Sequence, residues 1–376
     1  MKCTLLFTGD IMSQIEQDHA CKTETGYDFS QVLVSIRSLL HDSDLTVGNL
    51  ETIFAGEDAQ YSFIRYSFNT PDALAYQLKE DGFGLLSTAN NHCLDRDFAG
   101  LYRTLDVLDK VGIPHTGTAR SAQEQLKTCI HTCGGMRIGF LSYTYGVNSF
   151  VHQRFVDDDH RFAVNLTQPE ETLPGAINFQ KPGREERFAK HYLQPDEVFE
   201  SSIRPRLEDM KQEFARLREN GAEYVIMLLH CGGQHDPEPD VYTRWLVKQI
   251  IGMGADAIIT NHQHVLHPFT VEDGIPVAWC LGNLIQTPPT AANACSALLK
   301  LTLEKRDGAI RPVCIAAIAT KSVYDEKGRT VVKTIRQLIA EGQEQPQTLQ
   351  HVVNLLRCQP EETPVEDCDE YTLFEN

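Results

Sequence analysis

The chain has 376 residues, 41% apolar and 23% charged, enough to bury a large core in one big α/β domain or two ordinary ones. Its 52 acidic and 34 basic side chains leave a formal charge of −18, which repels nucleic-acid phosphates and anionic lipid and argues against both as partners. A small anionic substrate is not excluded, because bound divalent cations invert the local sign of the field.

The first apolar run, residues 3–8 of MKCTLLFTGD, stops directly at Gly9-Asp10 and is too short for a signal-peptide core. No later stretch approaches the roughly 18 apolar residues needed to span a bilayer. The expectation is a cytoplasmic protein without membrane insertion. Further β-branched apolar runs follow at 44–47, 84–88, 136–142, 223–229, 256–260 and 276–281, each reading as a strand. Residues 71–81 open on Thr70-Pro71 and stop at Gly82, and residues 206–220 place Leu207, Met210, Phe214 and Leu217 on one face before Asn220-Gly221. Both read as helices. Strand alternating with helix predicts an α/β fold, a layered sandwich of mixed β-sheets flanked by helices.

Residues 146–200, rich in Asp, Arg, Pro and aromatics without a sustained period, break the rhythm and read as an insertion over the core and a candidate lid. Strands at 297–303 and 310–318 lead to a hairpin turn at Glu326-Lys327-Gly328, a helix near 346–357 and an acidic tail. The expected organisation is one domain over 1–325 and a C-terminal extension over 326–376. Eleven scattered cysteines predict no disulfide framework. Cys129 and Cys133, the one closely spaced pair, read as ordinary free thiols rather than as half of a zinc site.

Metal-capable side chains end almost every apolar run. Asp10 follows LLFTG, Asn49 and Glu51 follow LTVG, and Asn90, Asn91 and His92 follow LLSTA; His230 follows YVIMLL, and His262 and His264 follow AIIT. The carboxyl ends of strands form the ligand-binding edge of α/β sheets, so these groups are expected to converge on one crevice. Imidazole and carboxylate together suit one or two divalent ions of zinc, manganese or iron, and a carboxylate can bridge a pair. A further imidazole, free of metal, can protonate a leaving oxygen. Singly, each has a blander reading: Asp and Asn after a strand are commonly turn or helix-capping residues, and a lone His is a hydrogen-bonded loop residue. His262 and His264 differ, since alternate residues of an extended segment point the same way.

FTGDIM at 7–12, GNLE at 48–51, ANNHCLD at 89–95, VGIPHTGTA at 111–119, LLHCGG at 228–233, GADAIITNHQHVLHP at 254–268 and CLGNLI at 280–285 together resemble the bacterial capsule synthesis proteins (CapA, polyglutamate synthesis), a branch of the calcineurin-like metallophosphoesterase superfamily. The resemblance implies Asp10 and His264 on a first metal, Glu51 as bridging carboxylate, and Asn91, His230 and His262 on a second. It implies His92 as the unligated acid with Asp95 orienting it, and Asn49, Asn90 and Asn283 behind the ligands or against substrate. The chain departs from the pattern at Met12, where the superfamily has a ligand His, so the first metal has fewer protein ligands. It departs again at Cys231 and Gln234, where the family shows an aromatic and a Glu. Many members of the family also have an N-terminal membrane anchor, which this sequence is expected to lack.

Arg154, Arg161, Lys181, Arg184 and Arg187 lie within 146–200 and either close over an anionic substrate or pair with neighbouring acids. Three functions stay open: a metal-dependent phosphoester-type hydrolase acting on a small anion, a protein handling a glutamyl polymer in capsule metabolism, and an accessory binding module. Retention of GNLE and NHQH argues against the last.

Overall fold

The structure, a computed structural model, describes residues 1–64, 66–149, 154–168, 197–286, 290 and 293–376. In chain order the strands are β1 Lys2–Ile11, β2 Leu45–Leu50, β3 Phe83–Ser87, β4 His115–Thr116, β5 Cys129–Cys133, β6 Met136–Thr144, β7 Tyr224–His230 and β8 Ala257–Asn261. They continue as β9 Phe269–Glu272, β10 Ile275–Ala278, β11 Asn283–Ile285, β12 Cys295–Arg306, β13 Ala309–Tyr324, β14 Thr330–Thr334 and β15 Tyr371–Glu375. One sheet runs β14-β13-β12-β1-β2-β3-β4, with β11 on β1 and β15 on β13; the other runs β5-β6-β7-β8-β10-β9. β1 to β4 pair in parallel and β12 joins β1 antiparallel. β6, β7, β8 and β10 are likewise parallel.

The two-residue side-chain period of a strand sorts residues into layers. Cys3, Leu5 and Phe7 of β1 meet Met136, Ile138 and Phe140 of β6 and Tyr224, Ile226 and Leu228 of β7 in a core between the sheets. Leu6 instead faces Leu74, Leu78, Val107 and Leu108 of the helices Ala73–Glu80 and Asp97–Val111. On the far side, Leu141, Val225, Met227 and Leu229 pack on Met210, Phe214, Leu246 and Ile250 of the helices Glu197–Glu219 and Val241–Gly252. The result is the expected α/β sandwich: helices, sheet, sheet, helices.

Two expectations need correction. The acidic tail contains β15, which pairs with β13 and buries Tyr371; its acids dilute the composition, but Tyr371 alternates with exposed Thr372 as a half-buried strand requires. Cys133 is not a free thiol, because it forms a disulfide with Cys3. The β5–β6 turn carries Gly134 and Gly135 at φ 54° and 75° and lies so close to Lys2 that a Cβ on Gly134 would sit 2.4 Å from the Lys2 carbonyl oxygen. That approach brings together two cysteines 130 residues apart. Cys129 keeps its thiol, pushed up to about 12 by burial.

Most of 146–200, including Lys181, Arg184 and Arg187, lies outside the described residues. Arg154 pairs with Asp97 at 2.8 Å, and Arg161 pairs with Asp209. Among the described residues no helix is long and apolar enough to cross a membrane.

Candidate metal centre

The carboxyl ends of β1, β2 and β3 in one sheet and of β7 and β8 in the other open on the same crevice. β1 brings Asp10 there through two close approaches. A register shift between Phe7 and Asp10 offsets β1 from β2, and Gly9 lies against Gly282, whose carbonyl oxygen a Cβ on Gly9 would meet at 2.1 Å. The Asp10 amide donates to that oxygen at 3.0 Å, and Asp10 stands in register with Asn283.

Asp10 is fully buried. Asn49 Nδ2 donates to its Oδ1 at 2.7 Å and the His262 amide to its Oδ2 at 3.2 Å, while His264 Nδ1 lies 3.4 Å from that oxygen. Burial pushes the Asp10 carboxyl up, but His264, His230 and Asn49 outweigh it and hold it below its ordinary value. Glu51 shows the opposite balance. It is fully buried, and neither carboxylate oxygen has a hydrogen-bond partner among the described residues; His230 Nε2 and His264 Nε2 stand 3.5 and 3.8 Å from Oε1. Burial, then the charges of Asp10 and Asp95, push the Glu51 carboxyl well up.

His230 and His262 touch directly, Nε2 to Nδ1 at 3.0 Å, and Asn91 Oδ1 lies 2.8 Å from the same Nε2. Burial, opposed by Asp10, drives the His230 imidazole down to about 3, so its ring is neutral at physiological pH, as a ligand must be. His262 and His264 hold left-handed backbones at φ 109° and 61°. Strain of this sort costs on the order of 1–3 kcal/mol per residue and concentrates at functional sites. His264 Nδ1 is met by Asn283 Oδ1 at 2.9 Å, and Asn49 bridges Asp10 and His230 while accepting from Ser87. Asn90 serves the backbone, donating to the Leu50 carbonyl and accepting from the His92 amide.

Among the described residues, three groups of ligand-capable atoms fall within 4.8 Å of one another: Asp10, Glu51 and His230, and Glu51, His262 and His264, lie in this crevice, while Cys3, Asp44 and Cys133 lie at the disulfide. Glu51 belongs to both sets in the crevice. The buried Glu51 oxygens, without a hydrogen-bond partner among the described residues and facing imidazole nitrogens, are a donor set that a divalent cation completes, so these residues fit one or two such ions.

His92 stands apart from both sets. Its Nδ1 lies 2.7 Å from Asp95 Oδ2, which also accepts the Phe68 amide at 2.5 Å. Phe68 stacks on the ring at a centroid distance of 4.0 Å. Among the described residues, sequence reading missed Phe68, Asn148 and Tyr145. Asn148 Nδ2 stands 3.3 Å from both ring nitrogens of His92, and Tyr145 packs on His262 at 4.6 Å. The strand-end rule, applied to β6, finds the last two, because Thr144 is in register with His230. Phe68 carries no comparable signal.

A profile of the bacterial capsule synthesis protein PGA_cap family matches residues 4–288. The chain belongs to the PGA_cap family. Among curated relatives, the capsule biosynthesis protein CapA of Bacillus anthracis is 23% identical over 315 residues, covering 83% of this chain and 66% of that one. The PGA biosynthesis protein CapA of Bacillus subtilis strain 168 is 23% identical over 302 residues, covering 80% and 67%. The uncharacterized protein y4sH of Sinorhizobium fredii is 25% identical, covering 68% and 60%. This PGA_cap chain therefore spans about two thirds or less of these relatives' length. Among solved structures, the calcineurin-like phosphoesterase YfkN of Bacillus subtilis is similar at a TM-score of 0.48 and 15% identity, over 89% of this chain and 91% of that one.

Proposed function

We propose that this PGA_cap protein is a metal-dependent hydrolase, with phosphoester-type chemistry on a small anionic substrate. The observation that carries the reading is Glu51, shared by two ligand sets with both oxygens buried and without a hydrogen-bond partner among the described residues, beside a His92–Asp95 pair that belongs to neither set. Asp10, Glu51, Asn91, His230, His262 and His264 would hold divalent ions of manganese, zinc or iron, which when bound would polarise a phosphoryl oxygen and make water nucleophilic near neutral pH.

The chain's own residues do the rest. Asp95 accepts from Phe68 and faces His92 Nδ1, which fixes the proton on Nδ1 and leaves Nε2 as the atom that delivers a proton to the leaving oxygen. Phe68 holds the ring flat by stacking. Asn49 and Asn283 fix the orientations of His230 and His264 from behind, and such supports set ligand geometry.

A second reading is favoured by the relatives whose names place them in capsule and PGA biosynthesis. In it the same centre acts on a glutamyl polymer. Both are tested by metal analysis after manganese loading and desalting, followed by assays on phosphoesters and on polyglutamate. One or two ions per chain with phosphoester turnover supports the first reading, and ions with turnover only on polyglutamate support the second. No retained metal overturns both.

A further inference from the structure

A cavity of about 590 Å³ lies between the helix Glu197–Glu219 and the segment carrying Asp158 and Arg161, and no residue of the metal centre lines it. Its size falls in the range of small-molecule sites. Three arginines line it, Arg161, Arg206 and Arg216, in a chain of formal charge −18.

Arg206 is the unusual one. It is only 7% exposed, and no hydrogen bond or ion pair joins its guanidinium to any described residue. Burial and the like charge of Arg161 both act against its charged form, opposed by Asp209, Tyr143 and Asp158. A buried, unpaired guanidinium is strongly unfavourable, whereas a paired one is tolerated.

The acids lining the cavity do not satisfy it. Asp209 is engaged by Arg161. Glu213 accepts from Gln125 and Asn165 and faces the Tyr143 hydroxyl, and burial raises its carboxyl to about 7. Asp158 and Asp159 are exposed at the rim, where water screens them. Beside the Arg161–Asp209 pair and the rim acids, the lining thus sets Arg206 and Arg216 against the single carboxyl of Glu213. An adjoining cavity of about 390 Å³ shares Gln125, Asn165, Glu213 and Arg216, which gives an organic ligand room beyond its charged group.

We propose that this cavity is an anion-binding site separate from the metal centre, taking a small molecule through a carboxylate or phosphate group held by Arg206 with Arg216 beside it. Both groups present paired oxygens that match a guanidinium fork.

The test compares wild type with Arg206→Met by thermal melting and calorimetry, using inorganic phosphate, succinate and, as a neutral control, glucose. Ligand-free Arg206→Met should melt above wild type, because a buried charge with no partner among the described residues is gone. Phosphate or succinate should then raise the wild-type Tm with concentration and raise that of the variant less, while glucose moves neither. The better of the two anions names the group recognised. An anion bound at the metal centre would shift both proteins alike, so equal shifts overturn the proposal, as does the absence of any shift in wild type. Should Arg206→Met fail to fold, the half-buried Arg216→Ala decides: affinity weakened about tenfold supports the site and unchanged affinity rejects it.

Discussion

At the scale of single residues, His92 and its neighbour Asn91 serve different partners. They are adjacent in sequence, but Asn91 Oδ1 touches His230 whereas the His92 ring is held by Asp95 and Phe68. His92→Ala should therefore lower kcat by about 10²–10⁴-fold, the usual range for a lost general acid, with metal content unchanged. Metal lost together with activity would show that the imidazole is a ligand. Asp18 yields a separate prediction about stability. Ser13 donates to its Oδ1 at 2.6 Å, and burial, opposed by Ser13 and Ser62, raises its carboxyl to about 7. Below about pH 4 the group is protonated in both folded and unfolded chains; above about 7 it is charged in both and carries the full burial penalty. Its contribution thus declines as pH rises from about 4 to 7, by up to roughly 4 kcal/mol. The Tm advantage of Asp18→Asn over wild type should grow across that window and level off above it. An advantage that is the same at pH 4.5 and pH 8 would contradict this account.

At the scale of elements, the site depends on how closely β1 and β11 approach. Gly9 faces the Gly282 carbonyl with no room for a Cβ, and the next residue of each segment is Asp10 or Asn283. Gly9→Ala should destabilise by about 1–3 kcal/mol, as overpacking against rigid backbone does, and should also reduce metal retention, because Asp10 moves with the strand. Normal metal content in a destabilised Gly9→Ala protein would separate the two effects. This pairing also shows what the sequence could and could not convey. The apolar runs that became β1, β2, β3, β6, β7, β8 and β10 were legible because each buries one or both faces, and their last residues marked the crevice. β11 has three residues and β4 has two, too few for any period to appear. Phe68 acts on His92 from a loop with no pattern of its own, and the positive φ of His262 and His264 follows from tertiary contacts. The departure at Met12 was legible as a residue and not as a consequence: Met12 is buried, with its amide on the Ile285 carbonyl.

At the scale of the whole molecule, each sheet supplies part of the proposed metal centre: Asp10, Glu51 and Asn91 come from one, His230, His262 and His264 from the other. The centre therefore exists only while the sheets stay in register across their shared core. Cys3 and Cys133 tie β1 of one sheet to β5 of the other. Cys3 opens β1 and Asp10 lies near its end, so along an extended strand the disulfide is roughly 23 Å from the centre. Cross-linking residues 130 apart restricts the unfolded chain and stabilises by up to about 4–5 kcal/mol. Reduction should therefore lower Tm while leaving metal content at room temperature unchanged, since the native contacts around Asp10 do not involve the disulfide. In denaturant without reductant, the nine other cysteines should react with a thiol reagent, and after reduction all eleven should. Eleven reactive thiols before reduction would mean that the two sheets are joined by packing alone, and the Tm should then be indifferent to reductant.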